Sequence, residues 1–397
     1  MKNSKRAVIA LIACSLLAGT GCSGIEVGKE TDSNLSVTTS DQYPIETDVE
    51  LTYWVPLNAS IAAYASSMNE IPYKSYIEEA TGIKVRYEHP PVGQEGTAFN
   101  LMIASMELPD IIDYNNWFSY RGGGQKAIAD NVILPLNEYI EKVSPNLNKV
   151  LQENPDIKKQ ISTEEGEVYC YPFLTLDDRL RSYEGFVVRE DLLEKYNLEV
   201  PQTLEEWNEV LYTFKENGVE KPLSILWSAY RDVSPFTGFF GFFADFYVED
   251  DTIKYGPYQE KYRDYVALLN QWYNDGILDR DLSAVDNTAL TSYAINGKIG
   301  ATYCMAGSQL GTWSTAINDA GSSISYLPVP YMTEKKGETP KFGQKARQFR
   351  GNGATITTQC KNPEIAARFL DYGYSEEGQL LNNFGKEGVS YNMIDGY

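Results

Sequence analysis

An alternation of strand and helix patterns between Val49 and Tyr114 constrains the fold of this chain more than any other feature. Apolar, β-branched and aromatic residues cluster in short runs typical of strands, and between these runs apolar residues recur at helical spacing. This order is typical of a doubly wound parallel sheet. In chain order the segments are strand 49–55, helix 73–80, strand 83–87, helix 99–106 and strand 110–114.

A second unit of the same kind begins near Tyr183. Residues 185–188 form a strand pattern, and a helix pattern follows at 189–196. Thr203 and Glu206 have the spacing of a capping box at the start of another helix. Two later helices carry apolar stripes that we expect to be buried, and their tryptophans are expected to belong to the core. The stripes are Leu204, Trp207, Val210, Leu211 and Phe214, and Tyr258, Tyr262, Tyr265, Val266, Leu269, Trp272 and Tyr273.

The first 22 residues resemble a bacterial lipoprotein signal. Lys2, Lys5 and Arg6 precede a short apolar run, and small residues then lead to Cys22, the residue that would receive the lipid. The alternative is an ordinary secretory signal cleaved near Gly21, with Cys22 left as a free thiol. Residues 23–48 are polar and acidic, a composition typical of a flexible tether.

Charge and hydropathy narrow the class of protein. The leader takes three of the 34 Lys and Arg residues, which leaves 31 against 55 Asp and Glu, a net charge of −24. Nucleic acid is therefore excluded as a partner, because its binding depends on basic residues that neutralise phosphates. Mean hydropathy is −0.36, and no second apolar run is long enough to span a membrane.

The sequence offers few of the motifs used by enzymes. It has no G-x-S-x-G elbow, phosphate loop or dinucleotide fingerprint, and a single histidine, His89, cannot supply a multi-histidine metal site. Cys170, Cys304 and Cys360 are widely spaced and predict neither disulfides nor a zinc site. A glycoside hydrolase needs only two carboxylates, so that class of enzyme stays open as an alternative.

Six segments follow one another in the chain behind the lipoprotein-like leader. They are 99–105 leading to 108–112, 168–172, 188–193 with 200–203, 296–300, 362–370 and 384–388. In this order they resemble family 1 extracellular solute-binding proteins, the receptor subunits of ABC sugar importers. The segment 384–388 resembles the subgroup of large lipoprotein receptors for oligosaccharides.

The chain departs from that family in two ways. The large subgroup continues well beyond the segment at 384–388, so we expect this chain, which stops at Tyr397, to be truncated. Some relatives carry a calcium loop after the capping-box helix, whereas residues 215–221 lack a series of alternating oxygen ligands. No calcium, other metal or cofactor is therefore expected.

The resemblance implies two α/β lobes, a hinge of crossing strands near 175–182, 299–304 and 354–357, and a ligand held in the cleft. We expect an N-terminal lobe of 49–176 plus 304–355 and a C-terminal lobe of 183–298 plus 357–397. The implied function is that of a monomeric, lipid-anchored receptor on the outer face of the cell membrane. It would pass a carbohydrate to ABC permease subunits without catalysis. A sugar sensor that partners a membrane kinase would share the same cleft and stays open.

Sugar sites combine aromatic rings, which stack on pyranose C–H faces, with amide, carboxylate and guanidinium groups that bind hydroxyls. Ligands of such sheets bind beyond the carboxyl ends of strands, which selects residues that end or follow predicted strands or lie beyond a crossing. Tyr171 is added because it lies just before the first crossing, and Arg350 because its guanidinium could donate to hydroxyls in the cleft. Tryptophans in these positions could also be core residues, and Arg350 could form a surface salt bridge. The candidate ligand-binding residues are Trp54, Asn115, Trp117, Tyr171, Trp227, Tyr230, Trp313 and Arg350.

Overall fold

The computed structural model describes residues 42–57, 59–62, 64–115, 120–232 and 235–394, without the side chains of residues 59, 60, 115 and 230–232. The strands are β1 (Glu50–Trp54), β2 (Lys84–Glu88), β3 (Ile111–Asn115), β4 (Tyr171–Leu174), β5 (Glu184–Arg189), β6 (Lys221–Leu223), β7 (Phe246–Glu249), β8 (Thr252–Tyr255), β9 (Ile299–Met305), β10 (Tyr326–Val329) and β11 (Phe349–Ile356).

The helices alternate with these strands. They are α1 (Ala59–Ala62), α2 (Pro72–Thr81), α3 (Glu95–Ser105), α4 (Gly123–Ala129), α5 (Asn137–Val143), α6 (Pro145–Glu153), α7 (Pro155–Gln160), α8 (Glu190–Lys195), α9 (Leu204–Glu216), α10 (Trp227–Asp232), α11 (Tyr262–Asn274), α12 (Asn287–Ile295), α13 (Thr312–Asp319), α14 (Pro363–Tyr372) and α15 (Glu376–Phe384).

Local signals explain where several helices begin and end. Helix α2 starts with Pro72 and ends at Gly82, whose φ of 74° is accessible to a residue without a side chain. The predicted capping box at the start of α9 is confirmed: the Thr203 side chain accepts from the Glu206 N–H, and the Glu206 carboxylate accepts from the Thr203 N–H. Trp207 and Phe214 on the same helix are fully buried, as the stripe predicts.

The first sheet has the order β2-β1-β3-β11-β4. Strand β1 pairs in parallel with β2 and β3, as the alternation of strands and helices predicts. Strand β11 is antiparallel to both of its neighbours, β3 and β4, although it follows them by more than 170 residues in the chain. The apolar core of this lobe includes Leu51, Val85, Ile111, Ile356 and Phe369.

The second sheet has the order β10-β5-β9-β6. Strand β5 is antiparallel to β9 and β10, whereas β6 runs parallel to β9. Its main core is aromatic, with Phe186, Trp207, Phe236 and Trp272 in edge-to-face contact. Strands β7 and β8 form a separate two-stranded hairpin.

Strand pairing corrects the predicted division of the two lobes. Residues 304–329 belong to the second lobe, because β10 pairs with β5 and α13 packs against α12. Residues 349–384 belong to the first lobe, because β11 pairs with β3 and α14 packs against α5 and α6. The expected assignment of 304–355 to the N-terminal lobe and 357–397 to the C-terminal lobe is therefore wrong for most of both segments.

Two crossings connect the sheets within the described part of the chain, at 175–183 and 330–348. The expected crossings near 299–304 and 354–357 are instead strands inside single sheets. Part of the expected tether is also ordered: the Ile45 N–H donates to the Thr81 carbonyl, and the Tyr43 hydroxyl donates to the Arg368 carbonyl. The leader, Cys22 and residues 23–41 lie outside the described residues.

None of the helices in the described ranges has both the length and the apolar character that crossing a bilayer requires.

Asp371 on α14 provides a test of the corrected lobe assignment. Its buried carboxylate accepts from the Leu147 N–H at 2.8 Å and from the Asn146 side-chain amide at 2.8 Å, at the start of α6. Asp371→Ala should lower the free energy of unfolding by about 2–3 kcal/mol, because these donors would lose their acceptor. Chemical denaturation would measure the loss.

Glu153→Ala is the matched control, since Glu153 is exposed at the other end of the same helix. It should change the free energy of unfolding by no more than about 0.5 kcal/mol. Equal stabilities for the two variants would contradict the role given to Asp371.

Candidate functional site

In both sheets the crossings leave and enter at the carboxyl ends of the parallel strands. The first crossing leaves β4 after Leu174 and enters β5 at Glu184, and the second leaves β10 after Val329 and enters β11 at Phe349. Parallel pairing places the carboxyl ends of β1 and β3 at one edge, and those of β6 and β9 at another. In α/β sheets this is the position at which ligands bind.

A cavity of about 480 Å³ lies at the carboxyl ends of β6 and β9. A π-helical turn, Ala306–Gly311, follows β9 directly, and such turns occur frequently at functional sites. The apolar part of the lining is Leu226, Ala229, Tyr303, Cys304 and Met305. The polar part is Glu184, Ser228, Asn287, Thr291, Ser308 and Gln309.

Hydrogen bonds fix several of the polar side chains. The Gln309 amide accepts from the Met305 N–H at 2.8 Å and donates to the Asn287 side-chain oxygen at 3.1 Å. The Thr291 hydroxyl accepts from the indole N–H of Trp313 at 3.1 Å. The cavity therefore presents amide and hydroxyl groups whose orientation is set before a ligand arrives.

Glu184 is the charged group of the cavity. Burial raises the pKa of its carboxyl above the ordinary value. Burial also raises the pKa of the neighbouring Cys304 to about 12, so this residue is a thiol and not a thiolate at neutral pH. Glu184 is thus poised to gain hydrogen-bond donors that would favour its ionised form.

A chain of hydrogen bonds connects the cavity to both crossings. The hydroxyls of Tyr303 and Tyr331 lie 2.8 Å apart, and the Tyr331 hydroxyl accepts from the Gln344 N–H at 3.0 Å. The side-chain oxygen of Gln344 accepts from the Tyr183 N–H, and the backbone carbonyl of Gln344 accepts from the Ser182 hydroxyl. Gln344 therefore joins one crossing to the other beside the cavity.

A second cavity of about 270 Å³ lies on the other side of the first turn of α10. Trp227, at the start of α10, lines it and is 49% exposed. Val266 and Tyr273, expected as part of a buried stripe on α11, are 44% and 40% exposed and line the same space. Tyr258, from the same expected stripe, lies before α11 and is 87% exposed.

A third cavity, of about 680 Å³, lies in the first lobe between α3 and α4. Asn100, Tyr120 and Arg121 line it. Burial and the hydrogen bond to Asp130 raise the pKa of Tyr120 to about 12. The cavity lies next in the chain to residues 116–119, which are outside the described residues and include Trp117.

Three of the predicted ligand-binding residues belong to the core instead. Trp313 is 0% exposed and packs beneath the cavity. Trp54 is 7% exposed and contacts Phe99 and Tyr114. Tyr171 is buried, with its hydroxyl 2.7 Å from that of Ser144. A buried ring offers no face to a ligand, so the ligand-binding expectation is corrected to a packing role for these three.

The other predicted residues lie nearer to the cavities or outside the described part. Trp227 is at a cavity wall, and Arg350 lies at the start of β11 in the first sheet. The guanidinium of Arg350 donates to the Tyr183 hydroxyl at 3.0 Å and lies over the Tyr183 ring, so the first lobe contacts the first crossing here. Trp117 lies outside the described residues, as do the side chains of Asn115 and Tyr230.

Four polar residues of the cavity were not predicted from the sequence: Glu184, Asn287, Thr291 and Gln309. They come from three separate segments, and only Asn287 and Thr291, four residues apart on α12, share a spacing. The one usable signal was position: Glu184 directly precedes the predicted strand 185–188, and Gln309 follows the segment 296–300 that resembles the family.

Across the described ranges, no three His, Cys, Asp or Glu side chains approach closely enough to hold a metal ion. His89 uses both ring nitrogens in the fold, with the Val55 carbonyl 2.8 Å from Nδ1 and the Met68 N–H donating to Nε2 at 3.0 Å.

Comparison with known proteins identifies the family. A family model for bacterial extracellular solute-binding proteins matches residues 58–380. The chain belongs to this family. The predicted resemblance and the two-lobed α/β fold are thereby confirmed, and the relatives of this solute-binding protein are binding proteins, not enzymes.

Two curated relatives illustrate the similarity. The fructooligosaccharide ABC transporter substrate-binding protein FusA of Streptococcus pneumoniae is 24% identical over 97% of this chain and 71% of its own length. The lipoprotein LipO of Bacillus subtilis is 23% identical over 86% of this chain and 68% of its own length.

Solved structures confirm the fold. The alginate-binding protein AlgQ2, solved without calcium ion, gives a TM-score of 0.70 at 23% identity and covers 88% of this chain and 72% of its own. FusA of S. pneumoniae in complex with kestose gives 0.68 at 22% identity and covers 86% of this chain and 70% of its own.

The different burial of Trp313 and Trp227 predicts losses of stability of different size for the same change. Trp313→Ala should lower the free energy of unfolding by about 3–5 kcal/mol, because a large buried cavity would form. Trp227→Ala should cost about 1 kcal/mol, because the ring is half exposed. Both residues belong to the second lobe, so one denaturation experiment compares them directly. Similar losses would contradict the burial described above.

Proposed function

We propose that this solute-binding protein is a monomeric receptor that captures an oligosaccharide between its lobes and delivers it to an ABC importer. In the proposal it is held at the outer face of the cell membrane by a lipid on Cys22. The cavity at the carboxyl ends of β6 and β9, with its hydroxyl, amide and carboxylate lining, is the observation that carries the proposal.

The lining suits sugar hydroxyls. Each hydroxyl can donate one hydrogen bond and accept others, and amides such as Asn287 and Gln309 can do both at once. Glu184 supplies a strong acceptor, and the Tyr303 ring adds an aromatic surface. The first sheet would complete the site with Arg350, whose contact with Tyr183 already lies at the junction of lobe and crossing.

The names of the relatives support the ligand class. FusA is named for fructooligosaccharides. Two B. subtilis relatives are named for binding polygalacturonan or rhamnogalacturonan, and melibiose, raffinose or stachyose. The match spans only 53% of the length of the last relative, so its ligands support the ligand class only as a proposal.

Closure of the two lobes would couple binding to delivery. A ligand that touches both lobes favours the conformation in which they meet, and it shifts the population by its difference in affinity for the two states. The closed conformation is then the form that permease subunits would recognise.

Isothermal titration calorimetry of residues 23–397 with a panel that includes kestose, raffinose, stachyose and polygalacturonate fragments tests the ligand class. At least one sugar should bind with a stoichiometry of one per chain and be recovered uncleaved. Failure of every sugar to bind would reject the proposal.

The carboxyl group of Glu184 should make the affinity for sugar depend on pH. Sugar hydroxyls that donate to its carboxylate would lower the raised pKa, so affinity should increase with pH through the window between the bound and the unbound pKa and level off above it. Glu184→Gln should weaken binding roughly tenfold and flatten this dependence. A sloping profile in the variant would place the titrating group elsewhere.

The anchor is tested by Cys22→Ser in the full-length chain. The wild-type protein should sediment with membranes, whereas the variant, which has no thiol for acylation at position 22, should appear in the soluble fraction. Equal partitioning would favour the ordinary secretory signal.

A further inference from the structure

The cavity beside Trp227 differs in chemistry from its polar neighbour. Its walls include Val266, Leu269, Leu278 and Leu282, and the Trp227 ring forms one side. The Asn270 amide, the Tyr273 hydroxyl and the Trp227 indole N–H are the polar side-chain groups among its lining residues. At about 270 Å³ it can take a group of several heavy atoms.

This apolar cavity adjoins the proposed sugar site along the chain. Trp227 lines the apolar cavity, whereas the next two residues, Ser228 and Ala229, line the polar one. One turn of α10 therefore separates the two spaces, and both lie beyond the carboxyl end of β6. A molecule that occupied both cavities would pass around this turn.

The lining is a poor match for a fully hydroxylated sugar unit. Each ring hydroxyl that lost water against leucine and valine without a new partner would weaken binding, because its desolvation would not be offset by a new hydrogen bond. A group with few hydroxyls avoids this cost and gains from burial against Trp227 and the leucines.

The exposed apolar side chains on α11 also indicate that this cavity suits a group with few hydroxyls. Val266 and Tyr273 belong to an apolar stripe, yet they are 44% and 40% exposed and line the cavity. Their neighbours Leu268 and Trp272 are buried in the core, so the stripe divides into a packed part and a part that faces the cavity.

We propose that the apolar cavity binds an apolar substituent of the captured oligosaccharide, such as an acyl ester or an aromatic aglycone. This inference rests on the proposed function and defines its substrate class as a decorated glycan. The sugar rings occupy the polar cavity, and the substituent lies against Trp227.

Matched pairs of probes test the inference by calorimetry on residues 23–397. The first set is the methyl and 4-nitrophenyl β-glycosides of glucose, galactose, mannose and xylose. The second is acetylated xylo-oligosaccharides, before and after removal of the acetyl groups with mild alkali. In at least one pair the decorated member should bind about tenfold more tightly than the bare one, since an added apolar group is buried.

Adjacent residues supply the matched variants. Trp227→Ala should reduce the preference for the decorated probe to less than about twofold, whereas Ser228→Ala should weaken both members of a pair equally and keep the preference. Val266→Asp, on the exposed face of α11, should act like Trp227→Ala, and thermal unfolding would show that each variant is folded.

The outcomes separate this inference from the proposed function. Equal binding of bare and decorated probes, or a preference that survives both Trp227→Ala and Val266→Asp, would overturn the inference and leave sugar binding intact. A chain that binds no bare or decorated sugar would overturn both.

Discussion

The insertion of β11 between β3 and β4 is the constraint on which the rest of the structure depends. Without it the first sheet would consist of β2, β1 and β3 with an unpaired edge, and β4 would have no neighbour. The strand is tied further by the Thr355 hydroxyl, which donates to the Tyr169 carbonyl, and by the neighbouring Thr357 hydroxyl, which donates to the Pro109 carbonyl. Because the chain must return to this position, it crosses between sheets twice, and both crossings pass the edges at which the cavities lie.

Much of the secondary structure follows from local patterns. The strands near 50–54, 84–88 and 111–115 and the capped helix at 204–216 carry their signals within a few residues. The division into lobes could not be predicted in this way, because nothing in the local sequences of β10 (YLPV) and β11 (FRGNGATI) specifies which sheet each strand joins. Which sheet each one joins is decided by long-range pairing, with Ile111 opposite Ile356 and Phe186 opposite Val329.

The candidate site shows the same limit. Strand ends could be predicted, and they directed attention to Trp227, which lies at a cavity wall. Burial could not, since Trp313 and Trp227 both follow apolar segments, yet one is enclosed by α12 and β10 and the other is half exposed. Glu184 and Gln309 meet only because β5 and β9 are antiparallel neighbours.

The two crossings are bonded to each other as well as to the lobes. The Thr175 N–H donates to the Gln348 carbonyl, the Ala346 N–H donates to the Arg181 carbonyl, and Lys345 forms an ion pair with Asp178 at 2.9 Å. Two crossings that are hydrogen-bonded to each other bend as one body, because either can move alone only by breaking these bonds. Relative motion of the lobes is thereby reduced to very few degrees of freedom, so the protein would sample a narrow path between its conformations and not a broad ensemble of domain orientations.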